Sequence, residues 1–293
     1  MLAGALGLHL TRRLAAEAGQ PDIDFSTPKG EAALVPADSV SWRVFKNPVA
    51  LFVGGIAAVL LELAEPRVRT GIWEHSSFRS DPVRRMKRTG LAALVTVYGA
   101  RSMAERMIAG VRHMHGRVTG ATPGGLAYDA GDPELLDWVQ ATAAFGFLEA
   151  YCAFGKPLPP QDRDRFYAEG AAAASLYGAT GAPRDVAGQQ ALFARMMPKL
   201  ERSGIVFEFL EIVAHAPVLP RPARGLFIRA AVEIVPAEIR ARLGLGPRHG
   251  LKSWEAALLR RAGALADTIR IPGAPPAQAC ARLGLPGDYL HRR

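Results

Sequence analysis

The chain has 293 residues, of which 49% are hydrophobic, so it is long and apolar enough to bury a sizeable core in one large domain. Its net charge of +9 comes from 36 basic and 27 acidic residues without a long Lys/Arg run, which excludes a basic tail of the kind that grips nucleic acid. Two widely separated cysteines, Cys152 and Cys280, exclude a disulfide framework and a Cys-x-x-Cys zinc site, and they fit a reducing cytoplasm.

The first 40 residues predict an arm that lies against the main body. They contain one short amphipathic helix, residues 8–18, followed by a linker with proline and aspartate. The basic residues of this segment come after its apolar run, which is the wrong order for a signal peptide. We therefore expect a cytoplasmic protein.

The longest uncharged run, residues 47–61, predicts a buried helix. It is shorter than the ~20 residues that a membrane helix needs, so we expect no membrane span. The predicted helix covers residues 48–64, where Gly54 and Gly55 would let another backbone approach closely, and Pro66 marks the next break.

The first arm of a predicted helical hairpin follows a polar and aromatic cluster. That cluster comprises Trp73, Glu74, His75, Phe78 and Arg79. Glu74 and His75 either organise the turn or donate and accept protons, and a pair of Arg79 with Glu74 across the turn is one alternative for Arg79. Asp81 and Pro82 then predict a helix start, and Gly99 ends the arm. Between them, adjacent turns carry Arg85, Arg88 and Thr89.

The second arm places a histidine among apolar residues. Residues on one face of this predicted helix recur at spacings of three and four: Ala104, Met107, Ile108, Val111, Met114, His115 and Val118. Arg112 lies one turn before His115, whereas His113 points the other way. From spacing alone, His115 is either a hydrogen-bonded core histidine or a ligand, and each arginine alone is explained by a solvated helix face.

The remaining sequence predicts further helices and no sheet. Asp132 and Pro133 start a helix to about Phe154 that is apolar on most sides and includes Trp138 and Tyr151, which are expected in the core. The other predicted helices cover residues 161–177, 186–200, 205–214, 224–234, 237–243 and 253–268. The fold is predicted to be all-α, a single large domain of roughly ten or more helices around a buried core. We divide it into an arm (1–40), a helical core (41–245) and a C-terminal extension (246–293).

Three segments resemble a known family, the heme-dependent oxygenases that include the latex-clearing (rubber) oxygenases and the fungal ER-bound MpaB oxygenase. They are EHSSFRSDPVRRMKRT (74–89), VRHMHGRVTG (111–120) and DPELLDWVQAT (132–142). In latex-clearing members an Arg-x-x-His supplies the proximal heme ligand, which implies that His115 binds iron beside Arg112. Their Arg-x-x-Lys-Thr lines the distal side and falls on Arg85, Arg88 and Thr89. Arg88 replaces the lysine, and an arginine stays protonated and cannot ligate iron.

The resemblance therefore implies a b-type heme oxygenase that uses dioxygen on an apolar, unsaturated, isoprenoid-like substrate. In this interpretation His115, Arg112 and Arg79 bind the cofactor, and Arg85, Arg88, Thr89, Glu74 and His75 are the catalytic candidates. Part of the positive charge would neutralise the two heme propionates. We expect no nucleic-acid partner and no membrane anchor of the fungal kind. The alternative from another class is a cofactor-free helical binding or regulatory protein, which the positive charge permits.

Overall fold

Helices make up almost all of the regular structure in residues 23–292, the part of the chain that the computed structural model describes. The predicted helix at residues 8–18 lies outside the described residues. The thirteen α-helices of the described part are α1 (Val40–Phe45), α2 (Pro48–Glu62), α3 (Pro66–His75), α4 (Pro82–Tyr98), α5 (Arg101–His115), α6 (Pro133–Phe154), α7 (Pro160–Tyr177), α8 (Val186–Met196), α9 (Gly204–His215), α10 (Arg221–Ile234), α11 (Ala237–Leu243), α12 (Ser253–Thr268) and α13 (Pro275–Arg282). The all-α prediction is confirmed.

A small β-hairpin is the exception, and the prediction of no sheet is wrong there. Strands β1 (Thr119–Ala121) and β2 (Ala127–Asp129) pair antiparallel, with Gly120 opposite Tyr128. Three-residue strands are too short to show an alternating apolar pattern, so the sequence signal that identifies strands is missing.

Side-chain caps explain why several helices start where the sequence predicts. The Asp81 carboxylate accepts a hydrogen bond from the Arg84 N–H at 3.2 Å, and Gly99 ends α4. The same arrangement starts α6, where Asp132 accepts from the Glu134 N–H at 2.8 Å. The break predicted at Pro66 is present: α2 ends at Glu62, and Pro66 is the first residue of α3, which the Glu65 carboxylate caps at 2.8 Å.

The centre of the fold is the packing of α2 against α6. These helices approach closely at two glycines: a Cβ placed on Gly54 would lie 2.8 Å from the Gly146 carbonyl oxygen and 2.8 Å from the Phe147 Cα. Gly55 has nothing within 4 Å of a Cβ, so the predicted close approach is confirmed for Gly54 and is wrong for Gly55. Trp138 and Tyr151 of α6 are buried in this core, as predicted.

Replacing Gly54 by alanine should destabilise the protein, whereas Gly55→Ala should not. The new methyl group at Gly54 would clash with backbone that has nowhere to move, which costs about 1 to 3 kcal/mol of the free energy of unfolding. At Gly55 the better helix propensity of alanine should add up to about 1 kcal/mol. Urea denaturation followed by circular dichroism measures both changes. Equal stability of the two variants would contradict this account of the crossing.

The chain segments before α2 and after α11 fasten onto this core. Arg282 of α13 donates to the carbonyl oxygens of Phe25 at 2.7 Å and Glu31 at 2.8 Å. α12 is held at the start of α2 by the Asn47 side chain, which donates to the Gly263 carbonyl at 2.9 Å. Within residues 23–292 no single helix is long and apolar enough to cross a membrane; α2 and α3 meet the length and composition requirement only together, with a bend of 111° between them.

Candidate functional site

The candidate site is built on the hairpin of α4 and α5, which only Gly99 and Ala100 separate. Arg85 lies in the first turn of α4, and His115 is the last residue of α5. The two side chains are close enough for the Arg85 charge to lower the pKa of His115, so the far ends of both helices meet. The structure therefore brings together two site residues that are 30 positions apart in the sequence.

His115 is half-buried, and burial is the main reason that its pKa is lowered, with the Arg85 charge second. The imidazole is therefore neutral at pH 7 and offers a ring nitrogen lone pair. The apolar stripe before it is only partly buried. Ala104 and Ile108 are buried as predicted, but Met114 is 49% exposed, because α5 reaches the protein surface in its last turn.

Arg85 is half-buried and is oriented by its own helix. Its guanidinium donates to the Thr89 hydroxyl, which in turn donates to the Arg85 carbonyl oxygen at 3.0 Å. Burial lowers the pKa of Arg85, the charge of Glu62 counteracts this shift, and the neighbouring charge of Arg88 adds to it. Arg85, Arg88 and Thr89 therefore form one polar group on α4, with Thr89 on its exposed side.

Glu62, the last residue of α2, joins this group, and the sequence interpretation missed it. By accessible surface the side chain is only half-buried, but it lies deep enough that burial raises its pKa to about 7, against the influence of the Arg85 charge. Within residues 23–292 no hydrogen bond or ion pair reaches this carboxylate. A carboxyl group that is half ionised near neutral pH can accept or release a proton under physiological conditions.

Glu74 and His75 occupy a different place, at the end of α3. The Tyr128 hydroxyl lies 3.0 Å from the His75 Nε2 and donates to the Glu74 carboxylate at 3.3 Å. Tyr128 is buried, and burial followed by the Glu74 charge raises its pKa. Because Tyr128 belongs to β2, these contacts fasten the β-hairpin to α3. The arrangement favours the turn-organising interpretation of Glu74 and His75.

Two predicted cofactor-binding arginines have neighbours outside the cluster. Arg79 is exposed and pairs with Glu208 of α9 at 3.2 Å, so the structure favours this pair over the alternative pair with Glu74. Arg112 is exposed, and its Nε faces Gly178, which ends α7. Two surface clefts, beside Arg240 and beside Lys46, contain none of these residues, so chemistry and not cavity shape identifies the cluster.

Residues 23–292 contain no group of three or more His, Cys, Asp or Glu side chains placed to hold a metal ion. In the part of the chain that the structure describes, the cluster at the hairpin thus offers one neutral imidazole (His115), one carboxyl group (Glu62) and two adjacent arginines (Arg85 and Arg88). This set can bind a metal centre that brings its other ligands with it, neutralise an anion and exchange a proton.

The comparison with protein families covers most of the chain. The family described as ER-bound oxygenase mpaB/B'/Rubber oxygenase, catalytic domain, matches residues 42–271, which extend from α1 through α12 and include the whole hairpin. No curated protein and no solved structure matches the chain. Because the match covers well over half of the sequence, the chain belongs to the family of mpaB and rubber oxygenase catalytic domains.

Proposed function

We propose that this protein is a heme b oxygenase that uses dioxygen on an apolar, unsaturated, isoprenoid-like substrate. Membership in an oxygenase family supports the reaction class. The observation that carries the proposal is the cluster of Glu62, Arg85 and His115, three ionisable groups with shifted pKa values at one end of the hairpin. Shifted pKa values of this kind collect at functional sites.

The residues of the cluster fit a heme. His115 keeps a neutral imidazole, which is the form that ligates iron, and it would hold the heme iron. Arg85 and Arg88 lie nearby, and a guanidinium can hold a propionate through two hydrogen bonds. Partly buried apolar side chains on the same hairpin could contact the porphyrin face: Met86, Leu91, Leu94, Met103 and Met107. When bound, the heme would supply the iron that activates dioxygen.

The protein groups have separate tasks in this proposal. Arg85, held by Thr89, presents a fixed positive charge to Glu62 and His115. Glu62, with a pKa of about 7, holds a proton or releases it beside that charge. Glu62 can fill this role only if it is about half ionised at neutral pH. Burial raises its pKa and the Arg85 charge lowers it, and the balance leaves the pKa at about 7. The apolar surfaces of the helices around the cluster exclude water from the substrate.

An absorption spectrum of the purified protein after heme reconstitution tests the cofactor. A sharp Soret band that stays with the protein through gel filtration is expected. Oxygen uptake with an isoprenoid such as squalene, followed by mass spectrometry of carbonyl products, tests the reaction. A protein that binds no heme under these conditions would reject the proposal and favour a cofactor-free binding or regulatory protein.

Arg88 should influence oxygen chemistry without binding iron. A guanidinium stays protonated, so it can only donate hydrogen bonds, to a propionate or to dioxygen in the pocket. Arg88→Leu should keep heme but slow turnover by about tenfold or more, the worth of one hydrogen bond to a charged group. Arg88→Lys should keep heme and produce a low-spin ferric spectrum at high pH, where a lysine loses its proton. If Arg88→Leu turned over substrate at the parental rate and its ferric spectrum did not change with pH, the role in oxygen chemistry would be rejected. Arg88 would then be a solvated cation on the helix face.

A further inference from the structure

The outer face of α12 is apolar and exposed. Trp254 is 64% exposed, Leu258 is 50% exposed and Leu265 is 62% exposed, and their spacings of four and seven residues put them on one side of the helix. Ile269, directly after the helix, is 47% exposed. The opposite side of α12 packs against α2 and α6 and buries Leu259 and Gly263. Large apolar side chains grouped on an outer face indicate a binding surface.

The exposed and unpaired charges of α12 are positive. Arg261, three residues after Leu258 and four before Leu265, lies beside the apolar side chains, whereas Arg260 lies on the flank of the helix. Within residues 23–292 no ion pair involves either arginine. Both acidic residues of α12 are neutralised from the other side: Glu255 is buried and pairs with Arg229 at 2.5 Å, and Asp267 pairs with Lys46 at 3.0 Å. Solvent therefore meets an apolar stripe with Arg261 beside it and Arg260 on the flank of the helix, and it meets no exposed, unpaired carboxylate of α12.

We propose that α12 docks on the surface of an anionic lipid bilayer and lies in the plane of its headgroups. A helix with an apolar face, basic residues beside it and a tryptophan is suited to this position, because leucines enter the acyl boundary while arginines contact lipid phosphates. The helix has 16 residues and one buried side, so it lies on the membrane and does not cross it. This surface is separate from the hairpin and independent of the heme.

Charge complementarity favours lipid phosphates over two other occupants. In a two-fold dimer through this face, Arg261 of one protein copy would approach the positive charge of Arg261 of the other. In the N-terminal segment, residues 1–22, Arg12 and Arg13 balance Glu17 and Asp22, so its side chains bring no net negative charge to the arginines of this face. An anionic bilayer supplies the opposite charge and an apolar interior together.

Binding of the full chain to vesicles tests the proposal. With vesicles of 70% phosphatidylcholine and 30% phosphatidylglycerol, the protein should co-sediment and its tryptophan emission should shift to shorter wavelength. Trp254 reports the shift, because Trp42 and Trp138 are fully buried and Trp73 is partly buried. Trp254→Phe should lose the shift and keep most of the binding. Vesicles of pure phosphatidylcholine, or 0.5 M salt, should bind the protein at least about tenfold more weakly.

Two sets of variants with matched controls locate the surface. Trp254→Ser with Leu258→Ser and Leu265→Ser should weaken binding at least about tenfold, and Met114→Ser with Leu126→Ser, two other exposed apolar residues, should not. Arg260→Gln with Arg261→Gln should weaken binding roughly 30-fold. Arg101→Gln with Arg106→Gln removes the same charge from exposed positions on α5 and should change it far less.

Three results would overturn the proposal. Equal binding of the α12 variants and the parent protein would place the contact elsewhere. Equal affinity for neutral and anionic vesicles would show that the arginines do not bind lipid phosphates, and the anionic bilayer would be rejected as the partner. A concentration-dependent dimer in light scattering that the α12 substitutions abolish, together with no vesicle binding by the parent protein, would assign the face to a second copy of the chain.

Discussion

Replacing His115 by alanine should abolish stable heme binding, whereas replacing His113 by alanine should leave it intact. His115 is the half-buried imidazole whose pKa burial and the Arg85 charge lower, so its ring nitrogen is free of a proton at pH 7 and available to iron. His113, two residues earlier on the same helix turn, is exposed and lies on another side of α5. Each substitution thus removes one imidazole from the last turn of α5, and only His115→Ala removes the proposed ligand.

Heme content after reconstitution and gel filtration measures this effect. The His113→Ala protein should carry about as much heme as the parent protein, and the His115→Ala protein should carry almost none. Added imidazole should restore a Soret band to His115→Ala, because a small imidazole can replace the missing ligand if the pocket is otherwise intact. Circular dichroism should show that both variants fold. Equal heme content in His115→Ala and the parent protein would reject the assignment of the ligand.

The sequence predicted those parts of the site that local signals control. Asp81 and Pro82 start α4, Gly99 ends it, and helical spacing then fixes which side of each arm carries Arg85 and His115. A hairpin with a two-residue connection brings the far ends of its helices together without help from the rest of the fold. The proximity of Arg85 and His115 follows from these local rules, and in the structure the Arg85 charge lowers the pKa of His115.

Other contacts depend on how distant helices pack, and a single sequence carries little signal for them. Glu62 appeared only as the charged end of an apolar run, and its approach to Arg85 results from tertiary packing that brings the end of α2 to the start of α4. The usable signal was that a lone carboxylate ended a helix predicted to be buried, where it must be paired or lose its charge. Sequence reasoning offered only Glu74, five residues away, as a pair for Arg79, because the partner in the structure, Glu208, is 129 positions away.

Glu62→Gln should stabilise the protein at pH 8 by up to about 3 kcal/mol and should change its stability little at pH 4. Burial raises the pKa of Glu62 from 4.5 to about 7. Below pH 4.5 the carboxyl group is protonated in the folded and unfolded chain alike, so folding buries no charge at this position. Between pH 4.5 and 7 the unfolded chain ionises first, and the free energy of unfolding falls as the pH rises. Above pH 7 both states are ionised and the full cost of burying the charge remains.

Glutamine keeps the size of the side chain and removes the charge, so the variant should lack this part of the pH dependence. Urea denaturation of the parent protein and Glu62→Gln, with both proteins in the same heme state, at pH 5 and pH 8 measures the difference. Glu105→Gln is the control, because Glu105 is exposed and its replacement should alter stability by less than about 0.5 kcal/mol at either pH. If Glu62→Gln and the parent protein lost stability equally between pH 5 and pH 8, Glu62 would already be ionised at pH 5 in the folded chain. It could then not hold a proton beside Arg85 at neutral pH, and the proton-transfer role proposed for it would fail even if heme bound to His115.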